Sequence, residues 1–247
     1  MKKIFNNVEI NFRVQRNSRG DNFVLLLHGW GGSLNSFRGL EDFLISKNYS
    51  VINVDFPGFG NSQNPLENYC LADYAKIIVE MLDFLNLKRV SVVSHSFGGR
   101  VAIKLASSSD YIQKLILVDS AGIKPRFNLV KFAKQKKYKF LKCLKSKNLI
   151  KKDLSNYGSA DYKAVPDNIK PVFVRVVNED LTPVLKDISC ETLLIWGDKD
   201  ESTPLYMAKK MNKLIKKSAL ITFKNSGHFS YLDNHYQFCL IVDSFLN

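Results

Sequence analysis

Residues 90–106 read Val-Ser-Val-Val-Ser-His-Ser-Phe-Gly-Gly-Arg-Val-Ala-Ile-Lys-Leu-Ala: an apolar run, a cluster of small residues and a helical pattern in direct succession. Val90–Val93 has the composition of a buried strand, and Arg100–Ala106 reads as a helix. A serine at such a strand-to-helix turn has its hydroxyl pushed clear of the backbone, close to the positive end of the helix dipole. The turn is tight, so its neighbours must be small, and Ser94, Gly98 and Gly99 meet that need on both sides of Ser96, the candidate nucleophile. Ser94 stands where the pattern Gly-x-Ser-x-Gly has its first glycine. A serine among glycines also occurs in ordinary turns, so this segment leaves two readings open and other segments decide between them.

Three more strand-like runs end in chemically capable residues. Phe23–Leu27 opens into His28-Gly29-Trp30-Gly31-Gly32-Ser33, a glycine-rich loop whose backbone N–H groups suit a developing oxyanion. Thr192–Trp196 ends in Gly197-Asp198-Lys199-Asp200, and Ala219–Phe223 leads to Asn225-Ser226-Gly227-His228. Nucleophile, acid and histidine thus each follow a predicted strand, in the order Ser, Asp, His.

With these pieces in hand, the chain resembles the lid-bearing, carboxylesterase-like serine hydrolases of the α/β-hydrolase superfamily over nearly all of its 247 residues. The motifs are HGWGGS at 28–33, DFPGFGNS at 55–62, SHSFGG at 94–99, WGDKD at 196–200 and SGH at 226–228. The resemblance implies that Ser96 is the nucleophile, Asp200 the acid and His228 the base, with oxyanion donors at the backbone N–H groups of Trp30 and Phe97. Asp198 is the rival acid, disfavoured by the Gly-x-x-Asp spacing. Asp119, at the end of Leu115–Val118, is a second rival. His28 and His95 are expected to shape turns and pocket walls, and His235 to lie on the surface of a C-terminal helix.

The wider pattern fits that fold. Strands are expected near 23–27, 51–55, 90–94, 115–119, 192–196 and 219–223, with a hairpin or meander around Ile4 and Val8–Val14. Helical segments lie between most of them, including Leu71–Leu85 with its stripe of Ile77, Ile78, Met81, Leu82 and Leu85. Alternation of this kind implies an α/β fold, a mostly parallel sheet with helices on both faces and ligands beyond the carboxyl ends of the strands. Residues 1–247 are read as one domain, with 122–187 as an inserted helical lid.

The charge is unevenly placed. Residues 124–187 hold 16 basic and 6 acidic side chains, most of the chain's net +13, and 124–152 hold 12 basic and no acidic ones. Val130, Ala133, Lys137, Phe140, Leu141 and Leu144 are expected to share a helical face that packs, leaving lysines to water. The preferred reading of the charge is a solvated lid surface. Membrane contact through a basic amphipathic helix and attraction of anionic substrates are minor alternatives, and no nucleic-acid-binding signature accompanies the lysines. No apolar stretch reaches the length of a membrane span, and four cysteines without metal-type spacing suggest free thiols in the cytoplasm.

The resulting expectation is hydrolysis of a small carboxylic ester through an acyl-enzyme, with no metal or organic cofactor. The alternatives are a C–C bond hydrolase or thioesterase on the same triad, and a slow-turnover small-ligand receptor. Phe229 counts against the C–C hydrolases, which usually carry tryptophan after the histidine.

Overall fold

The computed structural model describes residues 1–17, 22–126, 129–146, 149, 162–163 and 165–247. Successive residues of a strand face opposite sides of a sheet, so a strand that is apolar throughout needs cover on both faces. Phe23–Leu27 (β3) and Ser50–Val54 (β4) are buried at every position. They lie within an eight-stranded sheet of order β1-β2-β4-β3-β5-β6-β7-β8. The other strands are β1 (Lys2–Phe5), β2 (Val8–Gln15), β5 (Val90–His95), β6 (Ile112–Val118), β7 (Glu191–Gly197) and β8 (Ser218–Phe223).

β1 pairs antiparallel with β2, and β2 with β4; the remaining pairs are parallel. The β1–β2 hairpin turns through Asn6 and Asn7, at φ 43° and 64°, a left-handed pair that asparagine tolerates. Helices α1 (Arg38–Ser46) and α8 (His235–Leu246), the latter following the short α7 (Ser230–Asp233), cover one face, over Val24, Leu26, Val93, Ile116, Val118 and Ile195. On the other, α2 (Leu71–Phe84), α3 (Phe97–Ser108) and α6 (Leu205–Leu214) cover Leu25, Leu27, Val92, Leu115, Leu117 and Trp196. Fully burying each such aliphatic side chain contributes roughly 1.5–3 kcal/mol, so the sheet is the main source of stability. The expected stripe on α2 packs as read: Ile77, Ile78, Met81 and Leu82 are buried.

Register brings the strand ends level. Leu27 pairs with Ser94, His95 with Val118, Val118 with Ile195 and Gly197 with Phe223. The loops after β3, β5, β6, β7 and β8 therefore emerge along one edge of the sheet.

Between β6 and β7 lie α4 (Leu129–Ser146), α5 (Lys170–Asn178) and a 3-10 turn (Thr182–Asp187). α5 buries Val172, Phe173 and Val176 against the molecule. α4 departs from the expected packing face: Ala133, Lys137 and Phe140 are exposed, Phe140 by 64%, while the side chain of Val130 lies outside the described residues. Leu141 and Leu144 are half-buried as expected, and Tyr138 joins them. Spaced by three, they form a narrower stripe than the one read from the sequence, because the lysines between them leave little apolar surface to cover.

Candidate active site

The backbone at Ser96 has φ 49° and ψ −109°, between the last residue of β5 and the first of α3. The surroundings enforce this shape. A Cβ on Gly98 would run into the Leu27 carbonyl, and one on Gly99 into Ser120, so only glycine fits where α3 crosses the sheet edge. The Ser96 N–H donates to the Val118 carbonyl at 3.1 Å, and the Ser96 carbonyl accepts from Ala121 N–H at 3.0 Å. Ser94 is fully buried and donates its hydroxyl to the Ile116 carbonyl at 3.1 Å. That bond lets a serine occupy the motif's first glycine position without an unpaired hydroxyl.

His228 joins Ser96 to Asp200. Its Nε2 lies 3.0 Å from Ser96 Oγ and its Nδ1 2.8 Å from Asp200 Oδ2. Asp200 Oδ1 accepts the N–H groups of Ser202 and Thr203 at 2.8 and 2.9 Å, and Oδ2 accepts the Thr203 hydroxyl at 2.6 Å. Burial works to raise the Asp200 pKa, but hydrogen bonds from His228 and Thr203 prevail and hold it below the ordinary carboxylate value. Asp198 is exposed and stands outside this constellation.

The two flanking histidines are structural in geometry. His28 Nε2 accepts the Phe56 N–H at 3.0 Å while Nδ1 donates to the Gly29 carbonyl at 2.7 Å, a tautomer assigned from its partners. Burial lowers its pKa to about 4. His95 donates Nε2–H to the His228 carbonyl at 2.8 Å, and burial, then the nearby His228, lower its pKa to about 3. Both are neutral at pH 7. His235 is exposed on α8, as expected.

Asp55, in the 55–62 motif, accepts Leu34 N–H at 2.6 Å, Asn61 N–H at 2.9 Å and Asn11 Nδ2 at 2.7 Å. It thereby ties the glycine-rich loop to the next one and places Trp30. The Trp30 ring meets Phe59, Phe97 and Phe173 edge-on, at 4.8, 5.1 and 4.6 Å between centroids. Among the described residues, no turn or loop hydrogen bond takes the N–H of Trp30 or Phe97. A cleft of about 870 Å³ opens above these groups, lined in part by Trp30, Ser96, Phe97, Phe173, His228 and Phe229.

Residues 22–145 and 128–235 match the model of the α/β-hydrolase fold. The chain belongs to that family. This α/β-hydrolase is 27% identical over 230 residues to an uncharacterized hydrolase, YugF, of Bacillus subtilis, a match spanning 85% of this chain and 84% of the relative. It is 26% identical over 259 residues to the 2-hydroxy-6-oxononadienedioate/2-hydroxy-6-oxononatrienedioate hydrolase of Escherichia coli, spanning 92% and 88%. An esterase from Exiguobacterium antarcticum shares the fold, with a TM-score of 0.77 at 24% identity over 97% of this chain and 96% of that one. Family membership supports hydrolase chemistry.

Three residues of the α/β-hydrolase site escaped sequence reasoning. Asp119 (φ 43°), a rival acid of the sequence, makes no hydrogen bond to His228 among the described residues. Its Oδ1 accepts Gly197 N–H at 2.8 Å, and its Oδ2 accepts the N–H and hydroxyl of Ser230 at 3.1 and 2.5 Å. It thus fastens the loop bearing Asp200 to the loop bearing His228. Burial raises its pKa to about 7 against those hydrogen bonds. Thr203 bridges as well, its hydroxyl shared between Asp200 and the Asp119 carbonyl at 3.0 Å. Arg100 is 6% exposed and donates to the Val177 and Glu179 carbonyls, both at 2.7 Å, anchoring the end of α5 to α3. The available signals were a strand ending in Asp, and an arginine on the buried side of the helix that follows Ser96.

Proposed function

We propose that this protein is a serine hydrolase that cleaves a small carboxylic ester through Ser96, His228 and Asp200. The observation that carries the reading is the unbroken chain Asp200 Oδ2–His228 Nδ1 at 2.8 Å and His228 Nε2–Ser96 Oγ at 3.0 Å, at the mouth of a cleft. His228 takes the Ser96 proton as Oγ attacks the acyl carbon. The tetrahedral oxyanion is held by the N–H groups of Trp30 and Phe97, the latter at the first position of α3, where the helix leaves its donor unused. Asp200 keeps Nδ1 protonated and stabilises the imidazolium. His228 then protonates the departing alcohol, and a water it activates hydrolyses the acyl-enzyme.

Residues 122–187 act as a lid in this reading, supported by Phe173, Val177 and Asn178 of α5 on the cleft wall. Among the described residues no helix is long and apolar enough to cross a membrane. A cytoplasmic setting, in which the thiols of Cys70, Cys190 and Cys239 stay reduced, belongs to this reading. A second reading, C–C bond hydrolysis on the same groups, draws on the Escherichia coli relative, which is named as a hydrolase of a dienedioate and a trienedioate.

The test is a fluorophosphonate probe, with the adduct mapped by mass spectrometry, beside turnover of 4-nitrophenyl esters of increasing chain length. The expected result is a single adduct on Ser96 and steady ester turnover. An adduct elsewhere, or a burst of one equivalent without turnover, removes the proposal.

A further inference from the structure

Among the described residues, every formally charged side chain lining the cleft is a cation: Arg100, Lys124 and Arg126; the Asp180 carboxylate accepts the Lys124 N–H but does not line the cleft. Asp200, the nearest acid of the triad, sits behind His228 and is 4% exposed. Arg100 spends its two terminal nitrogens on the Val177 and Glu179 carbonyls, so it supplies positive potential more than open donors.

Lys124 and Arg126 differ from it. Both are exposed on the stretch that leaves β6 above Ser96. Arg126 is braced twice by one residue: its N–H donates to the Tyr206 hydroxyl at 3.1 Å, and its guanidinium lies 4.4 Å above the Tyr206 ring. Stacking holds the plane of the fork, and among the described residues no hydrogen bond takes its N–H edges. Among the described residues neither Lys124 nor Arg126 makes an ion pair with a carboxylate. Surface lysines elsewhere do so, as Lys104 does with Glu179 at 3.0 Å and Lys170 with Asp167 at 2.5 Å. A cleft walled by one sign of charge concentrates ligands of the other sign.

We propose that the ester cleaved here carries an oxyanion group, a carboxylate or a phosphate, which Lys124 and Arg126 hold at the cleft rim while the acyl carbon lies against Ser96. The planar fork of Arg126 matches two oxygens of such a group, and Lys124 adds a point charge. This deepens the serine-hydrolase reading and rests on it.

The experiment compares matched pairs of soluble esters at low salt. One pair places the charge on the acyl side: mono(4-nitrophenyl) glutarate against 4-nitrophenyl pentanoate. The other places it on the leaving group: 5-butyryloxy-2-nitrobenzoate against 4-nitrophenyl butyrate. The wild type is expected to favour the anionic member of at least one pair about tenfold in kcat/KM, and the preference should shrink as salt rises. The double variant Lys124→Glu/Arg126→Glu should reverse that ratio, with near-UV circular dichroism reporting that the fold is kept. If the variant unfolds, Arg126→Gln alone should lower the same ratio severalfold. Inorganic phosphate at millimolar concentration should inhibit the wild type competitively, and anionic phosphatidylglycerol vesicles should not exceed the soluble esters as competitors; stronger competition by vesicles would make the source a lipid headgroup and overturn the rim site for soluble esters. Ser96 labelling by a fluorophosphonate with no preference for either anionic ester overturns the anion site alone. Absence of that label, with charge-dependent phosphate binding intact in calorimetry, overturns the serine reading and upholds the anion site.

Discussion

At the carboxyl edge of the sheet, Ser94, His95, Asp119, Asp200 and Ser230 are buried, and among the described residues no buried side-chain nitrogen or oxygen lacks a partner. On α4, Lys136, Lys137, Phe140 and Lys145 stand in water. The edge over-determines each atom: His228 is held through Nδ1 by Asp200, through its carbonyl by His95, and through its loop by Asp119 and Ser230. The stretch between β6 and β7 is held at its ends, by the stacked Arg126 and by α5, which Arg100 tethers and whose Arg175 donates to the Tyr69 carbonyl at 2.6 Å. The difference teaches that rate resides at the edge, where a displaced hydrogen bond cannot be replaced by water, while the charge of the β6–β7 stretch can act only on which substrates arrive.

Ser96→Ala is the severest test of that division. Ester turnover should fall on the order of 10⁴–10⁶-fold and fluorophosphonate labelling should vanish, while the thermal melt stays cooperative. Residual labelling at full strength would move the nucleophile elsewhere.

Asp200→Asn should cost on the order of 10⁴-fold in kcat, because an amide favours the wrong His228 tautomer. Asp198→Asn, at an exposed position a few residues away, should stay within about twofold of wild type. Steady-state kinetics of the two variants side by side decide the acid, and exchanged values would place it at 198.

Asp119 sharpens the comparison within the edge. An asparagine there can accept from Gly197 but turns a donor toward Ser230, so Asp119→Asn should lose about 1–3 kcal/mol of stability, read by urea denaturation. kcat should fall about tenfold, with KM less affected. The pH dependence of stability carries a second signature. His28 and His95 have native pKa values below the unfolded 6.5, so between about pH 6.5 and 4 the unfolded chain binds protons that the native one refuses. Their contribution is complete above pH 6.5 and falls by about 1.4 kcal/mol per unit for each histidine on acidification. Asp119, raised to about 7 from the ordinary 3.8, acts in the opposite sense: its contribution is complete at low pH and is lost as pH rises through 7. The wild type should therefore lose about 1.4 kcal/mol per unit between pH 6 and 5, and Asp119→Asn should lose about twice that. Equal slopes would show that Asp119 titrates as in the unfolded chain.

The smallest effect belongs to α4. Lys137→Gln with Lys145→Gln should change turnover of a small neutral ester by less than about twofold, since exposed charges act through a field screened over about 10 Å at 0.1 M salt. A larger change in a stopped-flow assay would mean that α4 takes part in the reaction.

Much of the edge was legible because its signals are local. Buried strands announce themselves by apolar runs, as at Phe23–Leu27, and the Gly-x-x-Asp spacing at 197–200 distinguished two neighbouring carboxylates. Asp119 was not legible in its fastening role because both partners, Gly197 and Ser230, lie far along the chain. The same holds for Arg100, whose acceptors are Val177 and Glu179. The α4 stripe reads wider in the sequence than it is for a related reason, since Leu141 and Leu144 pack while Ala133 and Lys137 do not. Periodicity says that a face exists, and only the neighbour decides how wide it is, so Phe140 was counted inward and stands outward.

Among the described residues, seven other than glycine have a positive φ: Asn6, Asn7, Asn48, Asn86 and Asn225, with Ser96 and Asp119. Asparagine and aspartate bear that conformation at little cost, whereas serine at a constrained site carries on the order of 1–3 kcal/mol. The protein is therefore less heat-resistant than its fold permits, and part of the deficit sits on the nucleophile itself. Ser96→Gly, relieved of its Cβ, should melt a few degrees higher than wild type while hydrolysing nothing, so that selection for thermal endurance alone would erase the enzyme.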